Sequence, residues 1–250
     1  MSPLVHVEDR EGVALVRIDR PPANAMNLEL LAAGRAVLDE LRGEEPRAVV
    51  ITGRDGFFSA GVDLRLAPTL DADGQREMVE GINRLFAGWY GLDRPVVCAV
   101  NGHAVAGGLI LALCGDYRIG VDAGAKLGLT ELKAGIPYPA VALAVTQAEL
   151  APAAARLLAL RAHLVDPPEA QRLGVLDEIA PADSLLDRAL ERASELGALP
   201  QGAYATVKRQ VRGAALERID ALLAAGDDPM LGAWLGEETA GAAGAILRKS

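Results

Sequence analysis

Apolar and polar residues alternate over 4–8 and 13–19, on either side of Asp9-Arg10-Glu11-Gly12. A period of two flanking a polar, glycine-ended turn predicts a β-hairpin. After Arg20-Pro21-Pro22 the period changes: Leu28, Leu31, Val37, Leu38 and Leu41 share one helical face, so a helix is expected over about 28–41. Arg47-Ala-Val-Val-Ile-Thr-Gly is a continuous apolar run closing on glycine, which predicts a buried strand. A polar linker and a helix over 75–92 lead to a second buried strand, Pro95-Val-Val-Cys-Ala-Val. That strand runs into Asn101-Gly-His-Ala-Val-Ala-Gly-Gly and an apolar helix over 109–114; Tyr117-Arg-Ile-Gly and Lys126-Leu-Gly-Leu follow as short strands.

Beyond about residue 143 the pattern is almost wholly helical, with helices expected over 139–150, 152–161, 167–173, 182–197, 200–225 and 230–248. Only Val175-Leu-Asp-Glu-Ile interrupts them as a strand. Strands alternating with helices and then a helical tail place the chain in the α/β class with covered sheets. The change of character divides it into an α/β core over 1–195 and a helical region over 196–250. No internal repeat or low-complexity segment is detectable. Apolar positions of the tail (Leu216, Ile219, Leu222, Leu223; Leu231, Trp234, Leu235) recur at helical spacing, more than one tail is expected to hide alone.

Composition narrows the picture. The 250 residues are 51% hydrophobic, 24% charged and 4% aromatic, an aliphatic globule large enough to need no disulfide or metal for stability. No apolar run reaches the roughly 18 residues of a membrane span. The first ten residues lack the basic start and apolar stretch of a signal peptide, so a cytoplasmic protein with no membrane association is expected. Cys98 and Cys114 both sit in apolar runs and read as core residues. A net charge of −9 argues against nucleic-acid binding, and an anionic ligand would need local residues and backbone donors.

The motif inventory excludes more. The three histidines, His6, His103 and His163, form no HExxH, and no CxxC is present, so no metal site is expected. Phosphate-loop, GxSxG and GxGxxG patterns are absent. Ser59, after two phenylalanines and with no nearby histidine, reads as a turn residue.

Two segments share a design of buried strand, glycine-containing turn and helix: Phe57-Phe58-Ser59-Ala60-Gly61-Val62-Asp63-Leu64 and Asn101-Gly102-His103-Ala104-Val105-Ala106-Gly107-Gly108. A turn that opens a helix leaves backbone N–H groups without intrahelical partners, and glycine lets a ligand oxygen approach. Facing each other, two such turns would supply the paired donors of an oxyanion hole. Spacing alone is equally compatible with two tight strand-to-helix turns.

Phe58-Ser-Ala-Gly-Val-Asp-Leu, Arg94-Pro-Val-Val-Cys-Ala-Val-Asn-Gly-His-Ala-Val-Ala-Gly-Gly, Asp116-Tyr-Arg-Ile and Gly128-Leu-Thr-Glu-Leu-Lys-Ala-Gly-Ile-Pro occur in that order. With Arg20-Pro-Pro-Ala-Asn-Ala-Met-Asn near the start, they resemble the crotonase (enoyl-CoA hydratase/isomerase) superfamily along most of the chain. The resemblance implies a spiral of β-β-α units with a helical C-terminal trimerisation region, hence a homotrimer or hexamer. It also implies an acyl-CoA substrate, with coenzyme A part of that substrate and no separate cofactor. Carried over by position, the N–H groups of Val62 and Gly107 would hold the thioester oxygen. Ala60, Gly61, Asp63 and Gly108 flank these donors, and Ala23 and Ala25 lie in the loop that would cradle the coenzyme A moiety.

The chain departs from the family's hydratases at a catalytic position. They carry a glutamate after the glycine-rich turn, where Ile110 stands here; the second family glutamate corresponds to Glu131. Adding water needs a base for the water and an acid for the α-carbon, whereas a 3-to-2 double-bond shift needs one group to move a proton from C2 to C4. The pattern therefore looks more like the enoyl-CoA isomerase branch, with Glu131 acting alone. Tyr138-Pro139 stands where hydratases have glycines, which suggests a blocked water pocket. Asp63 is expected at a helix start, where a carboxylate favours the dipole. His103 is expected to pack or line a wall, and Trp89, Tyr90 and Trp234 to fill the core or line an acyl pocket. A hydratase and a non-catalytic acyl-CoA-binding protein stand as the alternatives.

Overall fold

The computed structural model describes residues 4–54, 56–66, 69–122, 124–226, 228–229 and 231–234. The amino-terminal hairpin is β1 (Val5–Arg10) and β2 (Val13–Ile18), paired antiparallel. Helix α1 (Leu28–Glu44) begins where the Asn27 side chain accepts from Leu30 N at 2.9 Å; of the expected face it buries Leu31, Val37, Leu38 and Leu41, while Leu28 is half-buried and Leu30 is buried beside them.

A β-β-α unit then recurs: β3 (Ala48–Thr52), β4 (Gly56–Ser59) and α2 (Ala72–Tyr90); next β5 (Val96–Val100), β6 (Gly102–Val105) and α3 (Gly107–Leu113). Strands β7 (Tyr117–Val121) and β8 (Leu127–Gly128) begin a third turn, which continues into a 3₁₀ turn over Glu131–Ala134 and α4 (Ala140–Glu149). The first strand of each unit joins a six-stranded sheet, ordered β1-β2-β3-β5-β7-β9 with β9 spanning Glu178–Ala180. The second joins a three-stranded sheet, β4-β6-β8, and all pairs beyond the hairpin are parallel. The repeat undetectable in the sequence is thus plain in the backbone, because what recurs is connectivity and burial.

Asn101 marks the passage from one sheet to the other. Its side chain accepts from Gly53 N at 2.9 Å and donates to Arg54 O at 2.5 Å, tying the end of β3 to the end of β5. Gly102–Val105, expected as a glycine turn, is therefore a strand, and the residues after Asn101 turn into the smaller sheet. Gly102 is required there, since a Cβ would stand 2.1 Å from the Gly56 carbonyl carbon on the paired strand.

The remaining helices are α5 (Pro152–Ala155), continued by a π turn over Arg156–Leu160, then α6 (Pro167–Arg172), α7 (Leu185–Gly197), α8 (Gln201–Ala225) and α9 (Leu231–Trp234). Helix α7 lays Ala189 and Ala193 across β3 and β5. Residues 235–248 of the helix expected over 230–248, and with them Leu235, lie outside the described residues.

The tail's apolar face is largely used within the chain, contrary to expectation. Ile219, Leu231 and Trp234 are buried, Leu216 and Leu222 half-buried, and among the described residues of that set only Leu223 is exposed. The most exposed large apolar residues of α8 are instead Val207 and Val211, one helical turn apart. Helix α8 is anchored by buried charge: Asp116 pairs with Lys208 Nζ at 2.7 Å and Arg212 at 3.1 Å. The Arg212 guanidinium also donates to the carbonyls of Tyr90, Cys114 and Gly115 and stacks 4.1 Å from the centre of the Tyr90 ring. Cys98 and Cys114 are buried free thiols in the core. No helix among the described residues is long and apolar enough to cross a membrane.

Candidate functional site

The loop at residues 20–26, the end of β4 and the start of α3 are locked together by buried polar side chains. Asn24, fully buried, adopts φ +52, a conformation asparagine tolerates. Its amide nitrogen donates to the carbonyls of Ile18 (3.0 Å) and Phe58 (3.1 Å), and its side-chain oxygen accepts from Arg20 N at 2.8 Å. The Ser59 hydroxyl donates to Asn24 O at 2.8 Å and accepts from Gly61 N at 3.2 Å. Ser59 is therefore an interior strut at the end of β4, not the turn residue expected.

Met26 pairs with this loop as a parallel bridge to Val62: Met26 N donates to Gly61 O at 2.7 Å, and Asp63 N donates to Met26 O at 2.9 Å. In such a bridge the flanking residues make the hydrogen bonds, and the N–H of Val62 itself points away from the partner. Gly61 allows the turn at φ +79. The chain makes a turn over residues 64–66 where the helix is expected to start. Asp63 is thus not at a helix start. It accepts from Arg20 at 2.9 Å and from Arg65 N at 3.1 Å, because an adjacent guanidinium supplies what a helix end would have supplied. The same Arg20 donates to Ala25 O at 2.8 Å, and Ala23 O accepts from Ala60 N at 3.0 Å. Ala23 and Ala25 accordingly shape the loop through their carbonyls and stand behind Val62.

The second donor loop is Ala106–Gly107. Ala106, at φ +52 and ψ −127, is a non-glycine residue in a sparsely populated conformation, and it caps α3 with no side-chain acceptor. Ala106 O accepts from Leu109 N and Ile110 N, and Ala106 N donates to Gly128 O at 2.8 Å. The Gly107 N–H, first in the helix, has no intrahelical acceptor. Gly108 packs on Ser59, where a Cβ would come within 2.1 Å of the carbonyl oxygen.

Both loops open on one cavity of about 220 Å³, walled by Ala60, Val62, Gly107, Ile110, Glu131 and Trp234 together with Ile82, Phe86 and Ala142. Among its described lining residues Glu131 is the single ionisable side chain. It opens the 3₁₀ turn, is 7% exposed, and its Oε2 is buried without a hydrogen-bond partner. Burial raises its carboxyl to about 7, opposed by its own backbone N–H and by Tyr138. Ile110, on the first turn of α3, is buried and presents no polar group. Trp234 closes another part of the wall, its indole N–H donating to Pro137 O at 2.8 Å. Tyr138 stands beside Glu131, its hydroxyl buried and without a hydrogen-bond partner; Pro139, next to it, lines the cavity.

The fold therefore brings Glu131, Val62, Gly107, Ala60 and Ile110 around one space, with Gly61, Gly108 and Asp63 directly behind the donors. His103 lies apart: its Nδ1 accepts from Lys126 N at 3.0 Å and its ring packs 4.9 Å from Phe57. Trp89 and Tyr90 are core residues. Asn24, Ser59 and Arg20 were not singled out by spacing; their only trace in the sequence is that they sit within matched motifs.

A family model described as enoyl-CoA hydratase/isomerase matches residues 8–233. The chain belongs to the enoyl-CoA hydratase/isomerase family. Members similar to it carry both names. A putative enoyl-CoA hydratase of Thermus thermophilus is 37% identical over 198 residues, covering 77% of each chain. The mitochondrial enoyl-CoA delta isomerase 1 of Mus musculus is 30% identical over 219 residues, covering 86% of this chain and 76% of that one. Among solved structures, the human mitochondrial delta3-delta2-enoyl-CoA isomerase superposes with a TM-score of 0.92 at 27% identity, over 98% of this chain and 97% of that chain. The protein is thus an acyl-CoA enzyme of the crotonase superfamily, and its repeated β-β-α units and helical C-terminal region are those of the enoyl-CoA hydratase/isomerase fold.

Proposed function

We propose that the protein moves the double bond of a 3-enoyl-CoA to the 2-position, using Glu131 as its one acid/base and the N–H groups of Val62 and Gly107 to hold the thioester oxygen. The observation that carries this reading is the single ionisable side chain among the described residues of the cavity wall, with Ile110 where a second carboxylate would stand. Ionised Glu131 takes the C2 proton, and the electron pair passes into the thioester, leaving negative charge on its oxygen. Two backbone donors at that oxygen stabilise the enolate in a water-poor site. The protonated carboxyl then returns the proton at C4 as the pair shifts back, and the double bond lies between C2 and C3. A carboxyl raised to about 7 suits both halves of this transfer near neutral pH. The reaction needs no group beyond the substrate's own coenzyme A.

Hydration, the activity that several relatives' names carry, would need a second group to activate water, and neither Ile110 nor Tyr138 is a base at neutral pH. A non-catalytic binder would have no use for an ionisable group buried at a cost. We also place the protein in a homotrimer or a pair of trimers, which the exposed Val207 and Val211 on α8 support.

The test sets 3-enoyl-CoA beside trans-2-enoyl-CoA in water. Isomerisation faster than hydration is expected; hydration as fast or faster would overturn the reading, and tight binding without turnover of either would favour the binder.

A further inference from the structure

Four buried side-chain polar atoms among the described residues lack a hydrogen-bond partner, and two of them, Glu131 Oε2 and the Tyr138 hydroxyl, belong to neighbouring side chains. Buried polar groups are almost always satisfied, so an adjacent unpaired acceptor and donor call for a reason. Both hang on one short segment: Glu131 begins the 3₁₀ turn, Gly135 ends it at φ +64, and Ile136 N donates back to Glu131 O at 3.0 Å. This hairpin-like return brings Tyr138 against the carboxyl from behind, while Glu131 and Pro139 reach the cavity. Among the described residues, no titratable side chain other than Tyr138 acts on Glu131.

We propose that Tyr138 is the positioning residue of the Glu131 carboxyl, its O–H donating to the carboxylate in the ionised state and releasing it when the carboxyl is protonated. A phenol that cannot itself ionise in this setting, because burial and the nearby carboxylate both push its pKa up, remains a donor at every working pH. Donation to the charged form steadies it against the desolvation that otherwise keeps the acid protonated. It also fixes the rotamer of a side chain that must face C2 and then C4. This role rests on the reading of Glu131 as the acid/base, but its test does not require turnover.

The experiment is direct titration of Glu131 by carbon NMR of protein labelled at the glutamate carboxyl, with Glu131→Gln to assign the resonance. Wild type is compared with Tyr138→Phe, which removes only the hydroxyl proposed to donate to the carboxylate. A midpoint higher in Tyr138→Phe by about one pH unit or more is expected, since hydrogen bonds to charged groups are worth that much. In activity, the acidic limb of kcat/KM should move up by the same amount while the KM for acyl-CoA stays nearly constant. An unmoved midpoint in a folded Tyr138→Phe protein would overturn the proposal, whatever reaction is catalysed. A moved midpoint without isomerase activity would support it and leave only the reaction assignment to fall.

Discussion

Gly61 and Gly107 face each other across the two donor loops, and the contact is one-sided. A Cβ on Gly61 would stand 2.9 Å from Gly107 N and from the Ala106 Cβ, whereas a Cβ on Gly107 would meet Gly61 Cα at 3.5 Å, an ordinary contact. The two loops thus come this close because one side chain in particular, at Gly61, is absent.

Gly61→Ala should displace one loop from the other and strain a backbone at φ +79, costing about 1–3 kcal/mol of stability and at least tenfold in turnover. Gly107→Ala should fold with wild-type stability to within about 1 kcal/mol. Chemical denaturation and rate measurements on both variants check the asymmetry; equal losses would contradict it.

Asp116 neutralises two buried cations of α8, Lys208 and Arg212. Asp116→Ala leaves Lys208 without its carboxylate and Arg212 with only Glu149, 3.5 Å from its Nε, and should cost about 3–5 kcal/mol. The loss should be read as a lower denaturation midpoint with little change in KM, because the network lies outside the cavity. A variant as stable as wild type would show that Glu149 and the carbonyls of Tyr90, Cys114 and Gly115 suffice for Arg212.

These pairs also mark where sequence was informative. Long helices with full apolar faces, such as α1 and α2, and the all-apolar strands β3 and β5 follow from periodicity, because each buries many residues in a regular pattern. The smaller sheet does not. Its strands β4, β6 and β8 hold four, four and two residues, too short for a period and partly glycine. Asp63 reads locally as a helix start but precedes a turn over residues 64–66, and nothing local reveals that Arg20, far away in the chain, binds it. Glu131, Val62 and Gly107 were legible only through motif resemblance. That the glutamate is buried, lacks a partner on Oε2 and neighbours Tyr138 depends on how a 3₁₀ turn folds back, which no spacing encodes.

Glu131 also ties function to stability. Its pKa is raised from 4.5 to about 7 by burial, so the folded state holds a proton that the unfolded chain loses first. Stability contributed by this group is therefore full below pH 4.5 and falls as pH rises through about 7, by about 3 kcal/mol in all. Glu131→Gln should accordingly be more stable than wild type at pH 8, with the difference shrinking as pH falls towards 5. Denaturation midpoints at the two pH values check this; a difference that does not vary with pH would contradict a raised pKa.

The central claim, that one carboxylate performs the proton transfer, is tested most directly by the turnover of 3-enoyl-CoA by Glu131→Gln at pH 8, measured beside its affinity for a saturated acyl-CoA. The account predicts a fall of about 10²- to 10⁴-fold in kcat with nearly unchanged affinity. A variant that binds normally and turns over at the wild-type rate would contradict it.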